Sequence, residues 1–255
     1  MNKPHALRRQ SKLCSAVVAT LGIAGFASPS AEAGLIMDLR AVAVNGVPLP
    51  SYQSKGPMYP ESGDVISLEL FAVVSGTNGL NDDTVTSMQG SILSTGSQHG
   101  NLSGGVVAPF NGAVFQNGSN VDLDSDGDLD IGAPLGSTGT AATGYFLARS
   151  NTPTGGTTDV NANTEEVKVG SFTFTVTVSD VGFGTYINFV RRSTAAGGNQ
   201  STAAIWFEDG AAKNPDISTY GAGAPVTFVP EPSAAAVAGL ASLGLLARRR
   251  QKKSK

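Results

Sequence analysis

The stretch VGSFTFTVTV at residues 169–178 decides the fold class of this chain. In it, the apolar residues Phe172, Phe174, Val176 and Val178 alternate with threonines. Successive side chains of a β-strand point to opposite faces of a sheet, so this alternation predicts a strand with one apolar and one polar face. A strand that buries only one face is typical of an antiparallel sheet.

The same two-residue period continues in other parts of the chain. Residues 64–74 place four apolar side chains on an inward face: Ile66, Leu68, Leu70 and Ala72. Residues 35–44 precede Asn45-Gly46, a dipeptide typical of a tight hairpin turn. Further strands are predicted at residues 85–93, 106–115, 145–149, 185–192, 203–207 and 225–229.

The segments between these strands are rich in glycine and short polar residues. Residues 76–83, 96–105 and 155–163 are accordingly predicted to be surface loops. No amphipathic segment of helical length occurs between residues 34 and 228. We therefore predict an all-β body, residues 34–228, folded as a single antiparallel β-sandwich.

Three of the strand patterns resemble those of known secreted sandwiches. The segments GDVISL at 63–68, VGSFTFTV at 169–176 and GTYINF at 184–189 are similar to strands of cohesin-type and carbohydrate-binding-module-like domains. The resemblance implies a jelly-roll or cohesin-like arrangement of the sandwich. It does not imply dockerin binding.

Charge is unevenly distributed along the 255 residues. Residues 1–33 carry four basic groups and one acid, and residues 230–255 carry six basic groups and one acid. The middle part, 34–229, carries seven basic and 18 acidic groups, a net charge of −11. A nucleic-acid-binding domain needs a basic face, so this class of function is excluded for the body.

The N-terminal segment, residues 1–33, has the features of a secretory signal peptide. A basic region at 1–12 precedes an apolar run at 13–26, and Ala31-Glu32-Ala33 supplies the small residues that signal peptidase requires. We predict cleavage between Ala33 and Gly34. The alternative is a retained membrane anchor. The only cysteine, Cys14, lies in this segment, so the mature chain would contain no disulfide.

The C-terminal segment, residues 229–255, contains three parts in a fixed order. Pro230-Glu231-Pro232 precedes an uncharged apolar run at 233–247 and a basic tail at 248–255. The 15 apolar residues would form a helix of about 22 Å, shorter than a hydrocarbon core of about 30 Å. We predict a marginal transmembrane helix with a cytoplasmic basic stop.

This order of parts resembles the PEP-CTERM sorting signal. The resemblance implies processing near Pro230, Glu231 and Pro232 by exosortase, a membrane-embedded transpeptidase. The protein would be held transiently in the bacterial inner membrane and then transferred to the cell surface or extracellular matrix. The alternative is a plain C-terminal membrane anchor.

One segment of the body carries a pattern with chemical meaning. Residues 122–130 read DLDSDGDLD, so carboxylates occupy every second position, with Gly127 where a sharp turn is needed. Like charges so close repel one another, and hard oxygen ligands at alternate positions suit Ca²⁺. We predict a structural calcium site whose ligands come from Asp122, Asp124, Asp126, Asp128 and Asp130. The alternative is a solvated acidic loop.

The spacing resembles the calcium loops of integrin-type propeller repeats and thrombospondin type 3 repeats. That resemblance implies side-chain ligation by Asp122, Asp124, Asp126 and Asp130, with Asp128 contributing its backbone carbonyl. The segment is not an EF-hand, because its twelfth position is Ala133, where a bidentate glutamate is required. It occurs once, so no propeller is implied.

The sequence contains neither a Gly-x-Ser-x-Gly motif nor a phosphate-binding glycine loop. His99 is predicted to be a solvated loop residue, and the adjacent pair Glu165-Glu166 would point to opposite faces of a strand. Tyr186, Trp206 and Phe207 are predicted mainly as core residues, with a sugar-stacking platform as the alternative. We therefore expect a non-enzymatic exported surface protein. The alternative function is a carbohydrate-binding module for exopolysaccharide.

Overall fold

The computed structural model describes residues 34–80, 82–96, 99–111, 116–132, 146–149, 158–161, 163–178, 184–191, 204–213 and 221–229. The predicted signal peptide, residues 1–33, lies outside these ranges, as do the apolar helix 233–247 and the basic tail 248–255. Within the described ranges, no helix is long and apolar enough to cross a membrane.

The described part of the chain is mostly β-strand, with one 3₁₀ turn at Ser51–Gln53. In chain order the strands are β1 (Gly34–Val44), β2 (Val47–Pro48), β3 (Val65–Ser75), β4 (Thr84–Thr95), β5 (His99–Val106), β6 (Gln116–Asn117), β7 (Ser119–Val121), β8 (Asp130–Gly132), β9 (Phe146–Arg149), β10 (Thr158–Asn161), β11 (Thr164–Val178), β12 (Thr185–Arg191), β13 (Ala204–Glu208), β14 (Ala211–Lys213), β15 (Gly221–Ala222) and β16 (Val226–Phe228).

The first sheet is centred on three long antiparallel strands. Its order is β10-β11-β3-β1-β15, and β2 extends β1 through the turn at Asn45-Gly46. Strand β5 pairs with the C-terminal half of β11, from Gly170 to Val178. All pairings in this sheet are antiparallel except the short parallel contact of β1 with β15.

The second sheet is centred on β4, which pairs directly with β8, β9, β12 and β13, while β14 pairs with β13 and β16 pairs with β12. Strands β12 and β13 follow one another along one edge of β4, and β9 and β8 follow one another along the opposite edge. The short strands β6 and β7 extend β9 and β8 respectively. All these pairings are antiparallel. Because β4 has partner strands on both edges, it is the central strand of the sheet.

The inward faces of the two sheets share one apolar core. Phe172, Phe174 and Val176 of β11 are at most 3% exposed, which confirms these three residues of the predicted face, while the side chain of Val178 lies outside the described part. The ring of Phe174 lies 5.6 Å from the ring of Phe228, which belongs to the second sheet. Burial of each such ring contributes about 1.5–3 kcal/mol, so these contacts join the sheets into a sandwich.

The prediction for β3 is confirmed in the same way, since Ile66, Leu68, Leu70 and Ala72 are at most 1% exposed. The predicted hairpin turn is also confirmed. Val44 pairs with Val47 across it, and Asn45 and Gly46 both have positive φ angles, as a tight hairpin turn requires.

Two loop predictions and one strand prediction are wrong. Residues 99–105, expected in a loop, belong to strand β5, whose Gly100 lies under the ring of Phe174. A Cβ at Gly100 would approach that ring to 2.3 Å, so glycine is required by packing and does not mark a loop. Residues 158–161, also expected in a loop, form the edge strand β10. The strand expected at 106–115 is not formed at residues 107–111, where a turn follows β5, and residues 112–115 lie outside the described ranges.

Candidate metal centre

The acidic segment 122–130 connects two short paired strands at one end of the sandwich. Val121 of β7 pairs with Asp130 of β8, so the segment forms the loop between them, and Asp130 itself begins β8. Two residues with positive φ shape the loop: Ser125 at 66° and Gly127 at 101°. The glycine therefore lies where the sequence required a sharp turn.

The loop contacts both sheets. Leu129 exchanges two backbone hydrogen bonds with β5 of the first sheet, donating to Gly100 at 3.0 Å and accepting from Leu102 at 2.8 Å. Two residues further on, Ile131 pairs with Ile92 of β4 in the second sheet. The acidic loop thus closes this end of the sandwich.

Three consecutive residues at the end of β4 hold the carboxylates. Ser94 donates its backbone N–H to Asp130 at 2.7 Å and its hydroxyl to Asp128 at 2.6 Å. The Thr95 hydroxyl donates to Asp124, and the Gly96 N–H donates to Asp126, both at 3.2 Å.

The sequence did not predict these hydrogen-bond donors at the end of β4. They lie about 30 positions from the loop, and no local pattern marks Ser94, Thr95 or Gly96 as functional. Only the pairing of the strands brings them to the acidic loop.

The five aspartates lie together as two overlapping groups. One group contains Asp122, Asp124 and Asp130, and the other contains Asp124, Asp126 and Asp128. Within each group, one oxygen from every carboxylate lies within 4.8 Å of the others. Oxygens bound to one Ca²⁺ at 2.3–2.6 Å have separations of this size, so each group can share a cation.

Burial divides the site into an inner and an outer part. Asp128 is 2% exposed and Asp130 is fully buried, whereas Asp122 and Asp124 are exposed to solvent. One carboxylate oxygen of Asp128, Oδ1, is buried without a hydrogen-bond partner. A buried acceptor of this kind is costly unless a proton or a cation satisfies it.

The electrostatics of the inner part follow from this burial. Burial raises the pKa of Asp128 to about 8, and the neighbouring carboxylates Asp126 and Asp130 add to the effect. Burial also raises the pKa of Asp130 to about 6, although hydrogen bonds from Ser94 and Leu123 oppose the shift. Near neutral pH the Asp128 carboxyl is therefore stable either with a proton or beside a bound cation.

Asp128 occupies a different position from the one that the calcium-loop resemblance implies. The resemblance assigns it a backbone carbonyl ligand, whereas the structure places its carboxylate inside the second group of aspartates. Its carboxylate is also bonded to Ser94. Both parts of Asp128 must therefore be considered when the site is tested.

His99 is not the solvated loop residue that was expected. It is the first residue of β5, and its ring lies 3.5 Å from the position that a Cβ on Gly127 would take. The buried Nδ1 atom has no hydrogen-bond partner. The ring borders the acidic loop but belongs to neither group of carboxylates.

The other candidate residues do not assemble into one site. Tyr186 lies opposite Thr95 and Trp206 lies opposite Val85, ten positions apart along β4. At about 3.3 Å per residue they are separated by roughly 33 Å, so they cannot form a common platform. Trp206 is 3% exposed and belongs to the core, as predicted, while Tyr186 is 50% exposed.

Of the predicted processing residues, only Gly34 lies within the described ranges, where it begins β1. Ala31, Ala33, Pro230, Glu231 and Pro232 lie outside them. No family model matches the chain, and neither a curated protein nor a solved structure is significantly similar to it. The function must therefore be argued from the site itself.

Proposed function

We propose that this protein is a non-enzymatic, exported bacterial envelope protein whose β-sandwich is stabilised by Ca²⁺ bound to the loop 122–130. The observation that carries the proposal is the group of five converging carboxylates, of which Asp128 and Asp130 are buried. The unpartnered Oδ1 of Asp128 adds an acceptor that a cation would satisfy.

The ligand chemistry favours calcium over other metals. Every candidate ligand is a carboxylate or carbonyl oxygen, and hard oxygen ligands select Ca²⁺ or Mg²⁺ over softer transition metals. Calcium tolerates irregular coordination better than magnesium does, which suits a loop of this kind. An exported site would also meet millimolar calcium, near the dissociation constants of about 10⁻⁴–10⁻³ M typical of extracellular modules.

A bound ion would stabilise the contact between the sheets. It would neutralise the inner carboxylates and hold the loop against Ser94–Gly96 of the second sheet, while Leu129 of the same loop is bonded to β5 of the first. The mature chain contains no cysteine, so no disulfide could perform this role. The ion is thus proposed as a structural link.

The two proposed processing steps would not cut any of the described strands. Strand β1 begins at Gly34, directly after the proposed signal-peptidase site, and the last strand, β16, ends at Phe228. Val229 still donates to the carbonyl of Met58 at 2.8 Å. Processing near Pro230-Glu231-Pro232 by exosortase would therefore leave every described strand intact.

The cellular location follows from these two processing steps. Signal peptidase would release the N-terminus, and the inner membrane would hold the C-terminal segment until exosortase acts. The product would be delivered to the cell surface or extracellular matrix.

We also propose a jelly-roll or cohesin-like arrangement for the sandwich. The chain crosses from the first sheet to the second four times: between β3 and β4, β5 and β6, β11 and β12, and β15 and β16. Crossings of this kind are typical of Greek-key sandwiches and not of simple meanders.

Titration calorimetry on the purified exported protein tests the calcium proposal. We expect one ion-binding event in the range 10⁻⁵–10⁻³ M that is assigned to the loop, and we expect Asp126→Ala to abolish it. No binding heat at millimolar Ca²⁺, together with an unchanged melting curve in chelator, would instead identify the segment as a solvated acidic loop.

Carbohydrate binding is the second candidate function, and two half-exposed tyrosines favour it. Tyr186 pairs with Thr227 of β16, and Tyr59 follows Met58, which bridges to Phe228 of the same strand. Both tyrosines are 50% exposed. Tyrosine joins an apolar ring with a polar hydroxyl, a combination suited to sugar surfaces.

A glycan array that includes bacterial exopolysaccharides tests this second function. Tyr186→Ala should reduce binding, while Tyr52→Ala, at an 80% exposed position on the 3₁₀ turn, serves as the matched control. Equal binding by both variants would remove Tyr186 from the proposal.

A further inference from the structure

A second group of carboxylates lies at the opposite end of β4 from the calcium loop. Asp82 and Asp83 directly precede β4, and Asp209 lies in the turn between β13 and β14. Ser94–Gly96, which hold the calcium loop, lie at the other end of this twelve-residue strand. At about 3.3 Å per residue, roughly 40 Å separates the two acidic groups.

Asp83 is the buried member of this group. It is 1% exposed, and its Oδ1 accepts a hydrogen bond from the Asp209 N–H at 2.8 Å. Its other oxygen, Oδ2, is buried without a hydrogen-bond partner. A buried carboxylate with an unsatisfied oxygen is costly, so Asp83 needs either a proton or a cation at that atom.

Asp209 turns its carboxylate towards the same point. A Cβ placed on Gly76 would lie 2.5 Å from Asp83 Oδ2 and 2.6 Å from Asp209 Oδ1. The two oxygens are therefore within about 5 Å of each other, and both lie so close to the backbone of Gly76 that no side chain would fit at this position.

The Asp209 carboxylate is held in its ionised form. It accepts hydrogen bonds from the Thr77 N–H and hydroxyl, both at 2.7 Å, and from the Asn78 N–H at 2.9 Å. These bonds lower the pKa of Asp209. Asp82 approaches the same turn, since one of its oxygens lies 3.1 Å from the Cβ position of Gly210.

No basic side chain neutralises Asp83 within the described ranges. The ion pair closest to this group in the chain joins Lys213 to Glu208 at 3.8 Å, and none of the described ion pairs includes Asp82, Asp83 or Asp209. Three carboxylates thus share this end of the sandwich without a paired cation from the protein.

We propose that Asp83 and Asp209, with Asp82 at the rim, bind a second divalent cation of the hard-oxygen class, Ca²⁺ under extracellular conditions. The site is independent of the loop 122–130, because it uses different residues at the opposite end of β4. The ion would satisfy Asp83 Oδ2 and join the β3–β4 connection to the β13–β14 turn.

Counting bound Ca²⁺ by native mass spectrometry and calorimetry on the purified exported protein tests the proposal. The wild type should bind two ions, Asp126→Ala one, Asp83→Asn one, and the double variant none. Glu61→Gln removes one exposed carboxylate elsewhere on the surface and should still bind two.

A second variant covers the case in which Asp83→Asn does not fold. Asp209→Asn keeps an acceptor oxygen for the Thr77 and Asn78 N–H groups and tolerates the φ of 54° at this position, but it removes the charge. It should also bind one ion.

The outcomes separate this site from the calcium loop. One ion in the wild type and none in Asp126→Ala would overturn the second site and leave the loop site standing. One ion in both the wild type and Asp126→Ala, lost in Asp209→Asn, would support the second site and overturn the first. Two ions in both Asp83→Asn and Asp209→Asn would also refute the second site.

Discussion

The ion-free protein should lose stability as the pH rises from 6 to 8, and Asp128 is the reason. Burial raises the pKa of this carboxyl to about 8 in the folded protein, whereas an unfolded aspartate titrates near 3.8. In this interval the folded protein holds a proton on Asp128 that the unfolded chain has released. A raised carboxyl pKa therefore stabilises the fold at low pH, and that contribution is lost as the pH rises through 8.

The size of the effect follows from the linkage relation. One proton of difference changes the free energy of unfolding by about 1.4 kcal/mol per pH unit. Because Asp128 is about half titrated at pH 8, the loss between pH 6 and 8 is about 2 kcal/mol. For a domain of this size that corresponds to a fall of roughly 4–8 °C in melting temperature. Asp130, with a pKa of about 6, loses its own contribution mostly below this interval.

Thermal melts in chelator at several pH values measure the effect. Asp128→Asn should reduce the dependence of the melting temperature on pH. Asp83 is unchanged in this variant, so the difference between variant and wild type reports on Asp128 alone. Calcium should reverse the trend, because the ion binds the deprotonated carboxylates and protects them best at high pH. Chelated wild type that melts at the same temperature at pH 6 and pH 8 would refute the raised pKa of Asp128.

Three further predictions concern the ion, the core and the tail. At pH 7.5 with about 1 mM Ca²⁺ and a dissociation constant of about 10⁻⁵ M, chelation should cost about 2.7 kcal/mol in a thermal melt, and Asp126→Ala should show no such difference. Phe174→Ala should destabilise the fold by about 3–5 kcal/mol. Gly100→Ala alone should destabilise the fold by about 1–3 kcal/mol, because the new methyl group crowds the Phe174 ring. In denaturant unfolding, the double variant Gly100→Ala/Phe174→Ala should lose less stability than the sum of the two single variants. Strictly additive losses would contradict the contact between the two residues. Glu231→Ala should leave protein in the inner membrane on cell fractionation, and unchanged surface delivery would argue against exosortase processing.

The sequence predicts the parts of the fold that depend on side-chain alternation. Strands β3 and β11 bury one face, so their apolar residues recur at every second position and can be identified without a structure. Strand β5 could not be predicted from side-chain alternation. Its Gly100 and Gly105 leave room for the Phe174 ring and the Asn117 side chain, and a strand with glycines at such positions has the composition of a loop.

In the candidate site, too, the features that are local in sequence could be predicted, and those that depend on strand pairing could not. The five aspartates of the loop are local in sequence, so their spacing alone indicates a cation site. Ser94 and Gly96, which donate hydrogen bonds to these aspartates, lie at the end of β4, about 30 residues earlier in the chain. Asp83 and Asp209 are separated by more than 100 residues, and only the neighbouring positions of β4 and β13 bring them together.

The hydrogen bond from Val229 to Met58 also fixes the place at which the described part of the chain ends. Val229 lies within 4.0 Å of the Cβ position of Gly184, whose carbonyl in turn lies 2.5 Å from the Cβ position of Gly96. Gly96 donates to Asp126 of the acidic loop, so the chain leaves the sandwich beside this loop. If the proposed processing near residue 230 attached the protein to a surface, loop 122–130 would lie at the end of β4 nearer the attachment point. The end of β4 that carries Asp83 would lie farther from it, roughly 40 Å along the strand.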